Sequence, residues 1–170
     1  MRSRQPGWAL LLALALAACS PTPESDPSED VRRPAVDFRL EQLGGGEVAL
    51  SDWAGKPVIL DFWATWCPPC EFQVPELNAL FQAHREANDV GIFGISIDEG
   101  GPEIVREWVA AHGVDYPILL SDGDLARHYG AVGFPTFVLI APDGRVEWTH
   151  AGVIDRKDIE SRLAKFVPSP

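Results

Sequence analysis

The feature that most constrains the fold is a short apolar run that ends in two closely spaced cysteines. Residues 58–63 are almost entirely apolar, which is the pattern of a β-strand buried on both faces of a sheet. Cys67 and Cys70 follow this run, and apolar residues at helical spacing follow the cysteines. The sequence therefore predicts a strand, a Cys-Pro-Pro-Cys turn and a helix, with the cysteines at the carboxyl end of a central strand.

The spacing of the two cysteines indicates redox chemistry. The start of a helix offers unpaired N–H groups and a partial positive charge, which favour the thiolate form of Cys67. A structural zinc site would need four protein ligands, but the sequence has no second cysteine pair and no histidines at ligand spacing. Haem attachment would need a histidine directly after Cys70, where Glu71 stands. We therefore predict a redox-active disulfide, with no metal and no other cofactor.

The amino-terminal residues are typical of an exported lipoprotein. Arg2 and Arg4 precede an apolar run over residues 8–18, which is too short to span a bilayer and has the layout of a secretory signal. The run closes with Leu-Ala-Ala-Cys, which resembles the lipobox of bacterial lipoproteins. We predict a signal peptide over residues 1–18 and lipidation of Cys19; the alternative is an ordinary signal with a chance cysteine. Lipidation would leave Cys67 and Cys70 as a pair in a disulfide-permissive compartment.

The rest of the chain divides into a tether and one domain. Residues 19–35 contain the lipidated cysteine and a stretch rich in proline, serine and acidic side chains, which has too little apolar surface to fold. Residues 36–167 are of the length of a single domain. The formal net charge of −11 argues against binding to nucleic acid or to anionic lipid head groups. Membrane attachment would therefore come from the lipid alone.

Within the domain, strands alternate with helices and the chain then ends in a hairpin and a helix. An amino-terminal hairpin is predicted around residues 44–46, and further strands over residues 90–97, 116–120, 136–140 and 145–150. Helices are predicted after Cys70 with a kink at Pro75, from Pro102 to Gly113, and over residues 122–129 and 155–166. This order predicts an α/β sandwich around a mixed sheet.

Two segments together resemble the thioredoxin superfamily. They are Phe-Trp-Ala-Thr-Trp-Cys-Pro-Pro-Cys at residues 62–70 and Gly-Phe-Pro-Thr at residues 133–136. Over residues 36–167 the chain is similar to the membrane-anchored TlpA-like or ResA-like thiol-disulfide oxidoreductases, which have a redoxin or AhpC/TSA-type domain. The resemblance implies a thioredoxin-like three-layer α/β/α sandwich with a mixed central sheet, an N-terminal β-hairpin and an inserted helix–strand unit.

The resemblance also assigns roles to residues of the motif. Cys67, exposed at the helix start, would attack a target disulfide, and the more buried Cys70 would resolve the mixed disulfide. Trp66 would pack beside the sulfurs and shield them. Pro68 and Pro69 would contact the substrate and influence the reduction potential.

The second segment would complete the substrate site. The resemblance implies that Pro135 is cis, which is uncommon enough for its position to be informative. The backbone of Phe134 would then lie beside Cys67 and pair with an extended substrate segment as an added strand. Without the cysteine pair, these two residues would be read as an ordinary loop before a strand.

Two positions depart from the pattern of TlpA-like proteins. Asp61 stands where they usually have asparagine and thioredoxin has a buried aspartate, and Gln73 stands where they often have glutamate. We expect Asp61, buried under the motif, to have a raised pKa and to accept the proton of Cys70 through water. The alternative is a partly hydrated aspartate that hydrogen-bonds to backbone and takes no part in the reaction.

We expect an exported, lipid-anchored reductase that faces the periplasm and receives electrons from a membrane-embedded dithiol carrier. Its targets would be oxidised exported proteins, such as the haem-attachment cysteines of apocytochrome c or a copper-site cysteine pair. Three alternatives stay open. The first is a disulfide oxidase of the same fold, which differs only in reduction potential. The second is a peroxiredoxin-type peroxidase, which would need a threonine in place of Ala64. The third is a copper-binding metallochaperone module that uses Cys67, Cys70 and His128.

Overall fold

The structure is a computed structural model that describes residues 32–168. The predicted signal peptide, the lipidation site Cys19 and most of the predicted tether lie outside the described residues. The strands are β1 (Arg39–Glu41), β2 (Glu47–Ala49), β3 (Val58–Trp63), β4 (Gly91–Ser96), β5 (Ile118–Leu120), β6 (Thr136–Ile140) and β7 (Val146–Ala151). The helices are α1 (Pro68–Glu71), α2 (Val74–His84), α3 (Pro102–His112), α4 (Asp124–Tyr129) and α5 (Arg156–Leu163), with a 3-10 helix over Leu50–Trp53. None of the helices in this range is both long enough and apolar enough to cross a membrane.

A five-stranded mixed sheet in the order β5–β4–β3–β6–β7 forms the centre of the domain. β3 pairs in parallel with β4 and antiparallel with β6, so both of its edges are hydrogen-bonded. β1 and β2 form an antiparallel hairpin, which is not part of this sheet. The predicted mixed sheet with an amino-terminal hairpin is therefore confirmed.

Side chains of β3 alternate between two apolar clusters, one on each face of the sheet. Ile59 and Trp63 belong to the cluster that contains both cysteines and residues of α2 and α5. Phe62 belongs to the other cluster, together with Tyr129 of α4. Helices therefore cover both faces, which explains why every residue of β3 is buried and why Asp61 is the single charged residue among them. The three predicted layers are present, with the cysteines on the α2 and α5 side.

The helix after Cys70 begins as predicted but is divided differently. We expected one helix with a kink at Pro75, whereas α1 ends at Glu71 and α2 begins at Val74. Pro75 has no N–H to donate to the carbonyl of Glu71, and its ring would clash with that carbonyl in a continuous helix. In α2 the proline occupies the first turn, where it costs no hydrogen bond. The break therefore falls before the proline rather than at it.

The first described residues are bound to the domain. The sequence assigns residues 32–35 to the tether, but the N–H of Ala35 donates to the carbonyl of Gly144 at 2.9 Å. The N–H of Val146 donates in turn to the carbonyl of Arg33 at 2.9 Å. These residues lie along the turn between β6 and β7 and are part of the folded unit.

Gly94 of β4, directly beside Asp61 of β3, gives a test of the packing around the central strand. A Cβ atom at this position would lie 2.6 Å from Ile118 Cδ1 and 2.9 Å from Trp63 Nε1. We expect Gly94→Ala to lower the free energy of unfolding by about 1–3 kcal/mol, the usual cost of overpacking a core. Urea denaturation measures this change.

Gly44→Ala is the matched control, because the nearest atom to its new Cβ would be 3.8 Å away and the residue has no strained backbone. It should change the free energy of unfolding by less than about 0.5 kcal/mol. Equal decreases in the free energy of unfolding of the two variants would show that the packing beside Asp61 tolerates an added Cβ atom.

Candidate active site

The cysteines form a disulfide at the carboxyl end of β3. Cys67 precedes the first residue of α1 and Cys70 lies within that helix, with an S–S distance of 2.01 Å and a Cα–Cα distance of 5.5 Å. Both residues are buried, at 5% and 2% exposure. The prediction that Cys67 is exposed is therefore wrong for the oxidised protein, because the disulfide draws its side chain toward Cys70 and into the apolar cluster below the motif.

The helix start does not offer the free N–H groups that we expected. Pro68 and Pro69 are the first residues of α1 and have no N–H. The N–H of Cys67 donates to the carbonyl of Ala64 at 3.1 Å, and the N–H of Cys70 donates to the carbonyl of Cys67 at 3.0 Å. Every backbone N–H from Cys67 to Cys70 is thus either missing or already paired. A thiolate at Cys67 would receive little hydrogen-bond stabilisation from this helix.

The loop before β6 lies next to the motif. The Phe134–Pro135 peptide bond is cis, as predicted. The ring of Phe134 meets the ring of Trp66 edge-on, with centroids 5.8 Å apart. The carbonyl of Pro135 accepts a hydrogen bond from the N–H of Gly152 at 2.8 Å. Within residues 32–168 the peptide groups of Phe134 bond to no other backbone group, so they remain available to an added strand.

Four exposed apolar side chains lie on the segments that carry the disulfide, the cis bond and Gly152. Trp66 is 63% exposed and forms part of the surface that a partner would meet, and its shielding of the sulfurs stays a prediction. Phe72 follows the motif, Val132 precedes the cis bond, and Val153 follows Gly152; all three are exposed. We call Trp66, Phe72, Val132 and Val153 the apolar rim. Large apolar side chains exposed close to a reactive group are typical of an interaction site.

Asp61 lies in the interior beneath the motif. It is 2% exposed and pairs with Gly94 on one side and with Phe137 on the other. Among the described residues, no donor reaches its Oδ1 atom, and the indole N–H of Trp63 on the same face is also without a partner. Burial raises the pKa of Asp61 well above its usual value, as the sequence predicted. The pKa of nearby Tyr116 is raised by burial and then by the charge of Asp61.

Comparison with known proteins identifies the family. The model of the AhpC/TSA family matches residues 31–149. The chain belongs to the AhpC/TSA family. It is 35% identical over 136 residues to the thiol-disulfide oxidoreductase ResA of Geobacillus kaustophilus, covering 79% of this chain and 76% of the relative. ResA of Bacillus thuringiensis subsp. konkukian is 31% identical over 141 residues, covering 82% of this chain and 80% of the relative.

A solved structure supports the same assignment. The crystal structure of a proposed thiol:disulfide interchange protein DsbE from Chlorobium tepidum matches with a TM-score of 0.72 at 29% identity, covering 80% of this chain and 96% of that one. The AhpC/TSA domain described here is thus a ResA/TlpA-like member of the thioredoxin superfamily with a thioredoxin-like α/β fold. It is a thiol-disulfide oxidoreductase, which acts with protein substrates and redox partners.

In this AhpC/TSA protein, Gln73 has a structural role and no role in proton transfer, because its amide has no ionisable proton. Its side chain is fully buried, its Nε2 donates to the carbonyl of Ile154 at 3.0 Å, and its Oε1 accepts from the N–H of Ile154 at 2.9 Å. Glu71 is half-exposed, with Oε1 at 3.7 Å from His112 Nε2 on the surface. Asp61 is therefore the one buried carboxyl group within residues 32–168.

Sequence reasoning missed Thr65 and Asp98. Asp98 follows β4 and hydrogen-bonds to Thr65, which stands between β3 and Cys67. The available signal was the position of Asp98 just after a strand expected to neighbour β3, because the carboxyl ends of parallel strands meet at one edge of a sheet.

The structure does not bring His128 to the cysteines. His128 is exposed on α4, where its Nδ1 contacts the carbonyl of Asp124 at 3.0 Å. α4 contributes to the cluster on the opposite face of the sheet from Cys67 and Cys70. Within the described residues, no group of three or more histidine, cysteine or acidic side chains is arranged to hold a metal ion. The ligand set considered for a copper module is therefore not assembled.

The raised pKa of Asp61 predicts a specific pH dependence of stability. Because the folded protein binds this proton more tightly than the unfolded chain, the free energy of unfolding should fall as pH rises from the unfolded pKa, about 3.9, through the raised folded pKa. The side chain of the Asp61→Asn variant cannot ionise, so the variant should not show this decrease in the free energy of unfolding. We expect the stability of the variant relative to wild type to increase from pH 4 to pH 8 in urea titrations. The exposed variant Asp122→Asn is the control, and parallel curves for wild type and Asp61→Asn would contradict the assignment.

Proposed function

We propose that this thiol-disulfide oxidoreductase is an exported reductase of protein disulfides. The observation that carries the proposal is the Cys67–Cys70 disulfide, which lies beside the cis Pro135 loop and within the apolar rim. Cys67 is the attacking cysteine and Cys70 the resolving cysteine in this proposal. No further cofactor is required, because the cysteine pair carries the electrons itself.

The reaction has two exchange steps. In the reduced protein, the Cys67 thiolate attacks one sulfur of the target disulfide; a Cys67–target bond forms, and the other target sulfur leaves as a thiolate. Cys70 then loses its proton and attacks the Cys67 sulfur, which releases the second target sulfur and forms the Cys67–Cys70 bond. The target becomes a dithiol and the protein a disulfide. A membrane-embedded dithiol protein is the donor that we propose for restoring the reduced pair.

The target segment is proposed to bind beside the disulfide. Its backbone would pair with the peptide groups of Phe134, next to Pro135, as an added strand. Its apolar side chains would contact Trp66 and the exposed prolines Pro68 and Pro69. Burial of the Cys67–Cys70 bond by such a segment would exclude water during exchange.

Three features of the site favour reduction over oxidation. A strong oxidant of this class is one whose reduced form is stabilised. Here Pro68 and Pro69 remove two N–H groups that could stabilise the Cys67 thiolate, and Asp61, once ionised, places a negative charge in the interior on the same face of the sheet as the cysteines. The net charge of −11 acts in the same direction. All three disfavour a further negative charge at Cys67 and therefore the oxidising role.

The place of action rests on the amino-terminal sequence. We propose that residues 1–18 direct export, that Cys19 is lipidated and anchors the protein at the membrane, and that the domain faces the periplasm. Two relatives carry the name ResA, thiol-disulfide oxidoreductase. Oxidised exported proteins, such as apocytochrome c at its haem-attachment cysteines or a copper-site cysteine pair, are the proposed targets.

The reduction potential of the Cys67–Cys70 pair tests the direction. Equilibration of the protein in defined thiol buffers should give a value near that of thioredoxin, about −270 mV, or lower. A value near that of DsbA, about −120 mV, would instead identify a disulfide oxidase. Pro68→Gly, which restores an N–H at the helix start, should raise the potential if the missing donors contribute; Pro57→Gly, before β3, is the control.

The role of Asp61 is tested by the pH dependence of the reaction. We propose that Asp61 accepts the proton of Cys70 through a water molecule during resolution. Wild type contains this internal base only at pH values at which Asp61 is ionised. Asp61→Asn should therefore slow exchange selectively above neutral pH, and the two rates should converge at lower pH, as measured by stopped-flow reduction of a model disulfide. Glu71→Gln is the control; an unchanged profile for Asp61→Asn would remove Asp61 from the mechanism.

A further inference from the structure

The turn that carries Cys67 is held by a single carboxylate. Oδ1 and Oδ2 of Asp98 accept hydrogen bonds from the N–H of Thr65 at 3.1 and 3.0 Å, and Oδ1 also accepts from Thr65 Oγ1 at 2.6 Å. Ser96 Oγ donates to Oδ2 at 2.8 Å, which orients the carboxylate. Among residues 32–168, no other side chain hydrogen-bonds to residues 64–67.

The rest of the turn has few restraints of its own. Its one internal backbone bond runs from the N–H of Cys67 to the carbonyl of Ala64. Trp66 is largely exposed and meets the Phe134 ring edge-on, whereas Ala64 packs into the core below the turn. In the oxidised protein the bond to Cys70 fixes the Cys67 sulfur. Reduction removes that bond, and the contact between Thr65 and Asp98 is then the side-chain hydrogen bonding that restrains the turn.

We propose that Asp98 is a positioning residue of this oxidoreductase, which fixes the turn over residues 64–67 through Thr65 and so directs the Cys67 sulfur at the target disulfide. The inference rests on the proposed function, in which Cys67 is the attacking cysteine. Asp98 touches neither sulfur in this role; it acts on the reaction only through Thr65.

The proposal has an asymmetric consequence. When the reduced protein attacks a target, the Cys67 sulfur has lost its covalent restraint and depends on the turn. When an external thiol attacks the protein's own disulfide, the Cys67–Cys70 bond still holds that sulfur in place. Loss of the Asp98 contact should therefore slow the first reaction much more than the second, whereas general loss of structure would affect both.

Two variants weaken the contact from opposite sides. Asp98→Asn keeps the shape of the side chain and one acceptor oxygen, but it removes the negative charge and turns the other oxygen into an NH₂ donor, which cannot accept from Thr65 or Ser96. Thr65→Ala removes the hydroxyl donor, and Thr65→Ser restores it. The probe for target attack is 5,5′-dithiobis(2-nitrobenzoate) mixed with the reduced protein across a range of pH, so that the rate is compared at equal thiolate fraction. The probe for the reverse reaction is dithiothreitol, followed by tryptophan fluorescence.

We expect Asp98→Asn and Thr65→Ala each to slow target attack about tenfold, as for modest misplacement of a reacting group, with a change below about twofold in the reverse reaction. Thr65→Ser should behave as wild type. Glu99→Gln is the matched control, because Glu99 is exposed, lines the same surface cleft as Asp98 and carries the same charge. If Asp98→Asn does not fold, the comparison of Thr65→Ala with Thr65→Ser decides the question.

The outcomes separate this inference from the function on which it rests. Equal slowing of both reactions, no slowing of either, or the same effect from Glu99→Gln would overturn the positioning role of Asp98 while wild type remains active. Failure of the reduced wild-type protein to reduce the probe would overturn the proposed function, and the inference with it.

Discussion

The mixed pairing of β3 determines where the chemistry is assembled. Because β4 runs parallel to β3, its carboxyl end brings Asp98 to the turn that follows β3. Because β6 runs antiparallel, its beginning brings the cis Pro135 loop to the same place from the other side. The disulfide therefore lies where three segments, distant in sequence, meet at one edge of the sheet. Neither neighbour could be exchanged for a strand of the opposite direction without dispersing the site.

The electrostatics of this edge differ from those of a thiolate-stabilising helix terminus. Two consecutive prolines remove N–H groups at the start of a helix that is itself short, and a buried carboxyl lies beneath it. Gly94 allows the rings of Trp63 and Tyr116 to approach the strand beside Asp61, and burial is the cause of the raised pKa of this carboxyl. These surroundings are the basis on which we propose that the reduced protein donates electrons.

Much of this arrangement could be predicted from local sequence patterns. The buried strand, the Cys-Pro-Pro-Cys turn, the cis bond before Pro135 and the burial of Asp61 each follow from a short segment, either directly or by resemblance. The burial of Cys67 and the exposure of Trp66 could not be predicted. The first depends on the disulfide, and the second depends on how the Phe134 ring meets the motif. The break of the helix before Pro75 could be predicted, because a proline ring clashes with the carbonyl of the residue four positions earlier in a continuous helix.

The contact between Thr65 and Asp98 shows a different limit. It joins residues that follow two neighbouring strands, and its hydrogen bonds depend on the register of β3 against β4, which a single sequence does not specify. The same is true of Gln73, whose amide nitrogen and oxygen each hydrogen-bond to the backbone of Ile154, far along the chain. Local patterns thus identify the reacting atoms, whereas the groups that hold them emerge only from strand pairing and helix packing.

The attachment of the first described residues has a consequence for how the domain can be joined to other structures. Arg32 contacts Asp143 and Glu147 at 2.8 and 2.9 Å, beside the turn between β6 and β7. Since β6 starts at the cis loop and ends at this turn, the chain enters the domain at the far end of the sheet from the disulfide. Within the described residues, Arg32 and the disulfide thus lie at opposite ends of β6, and the contacts that bind the first described residues to the domain use no part of the redox site.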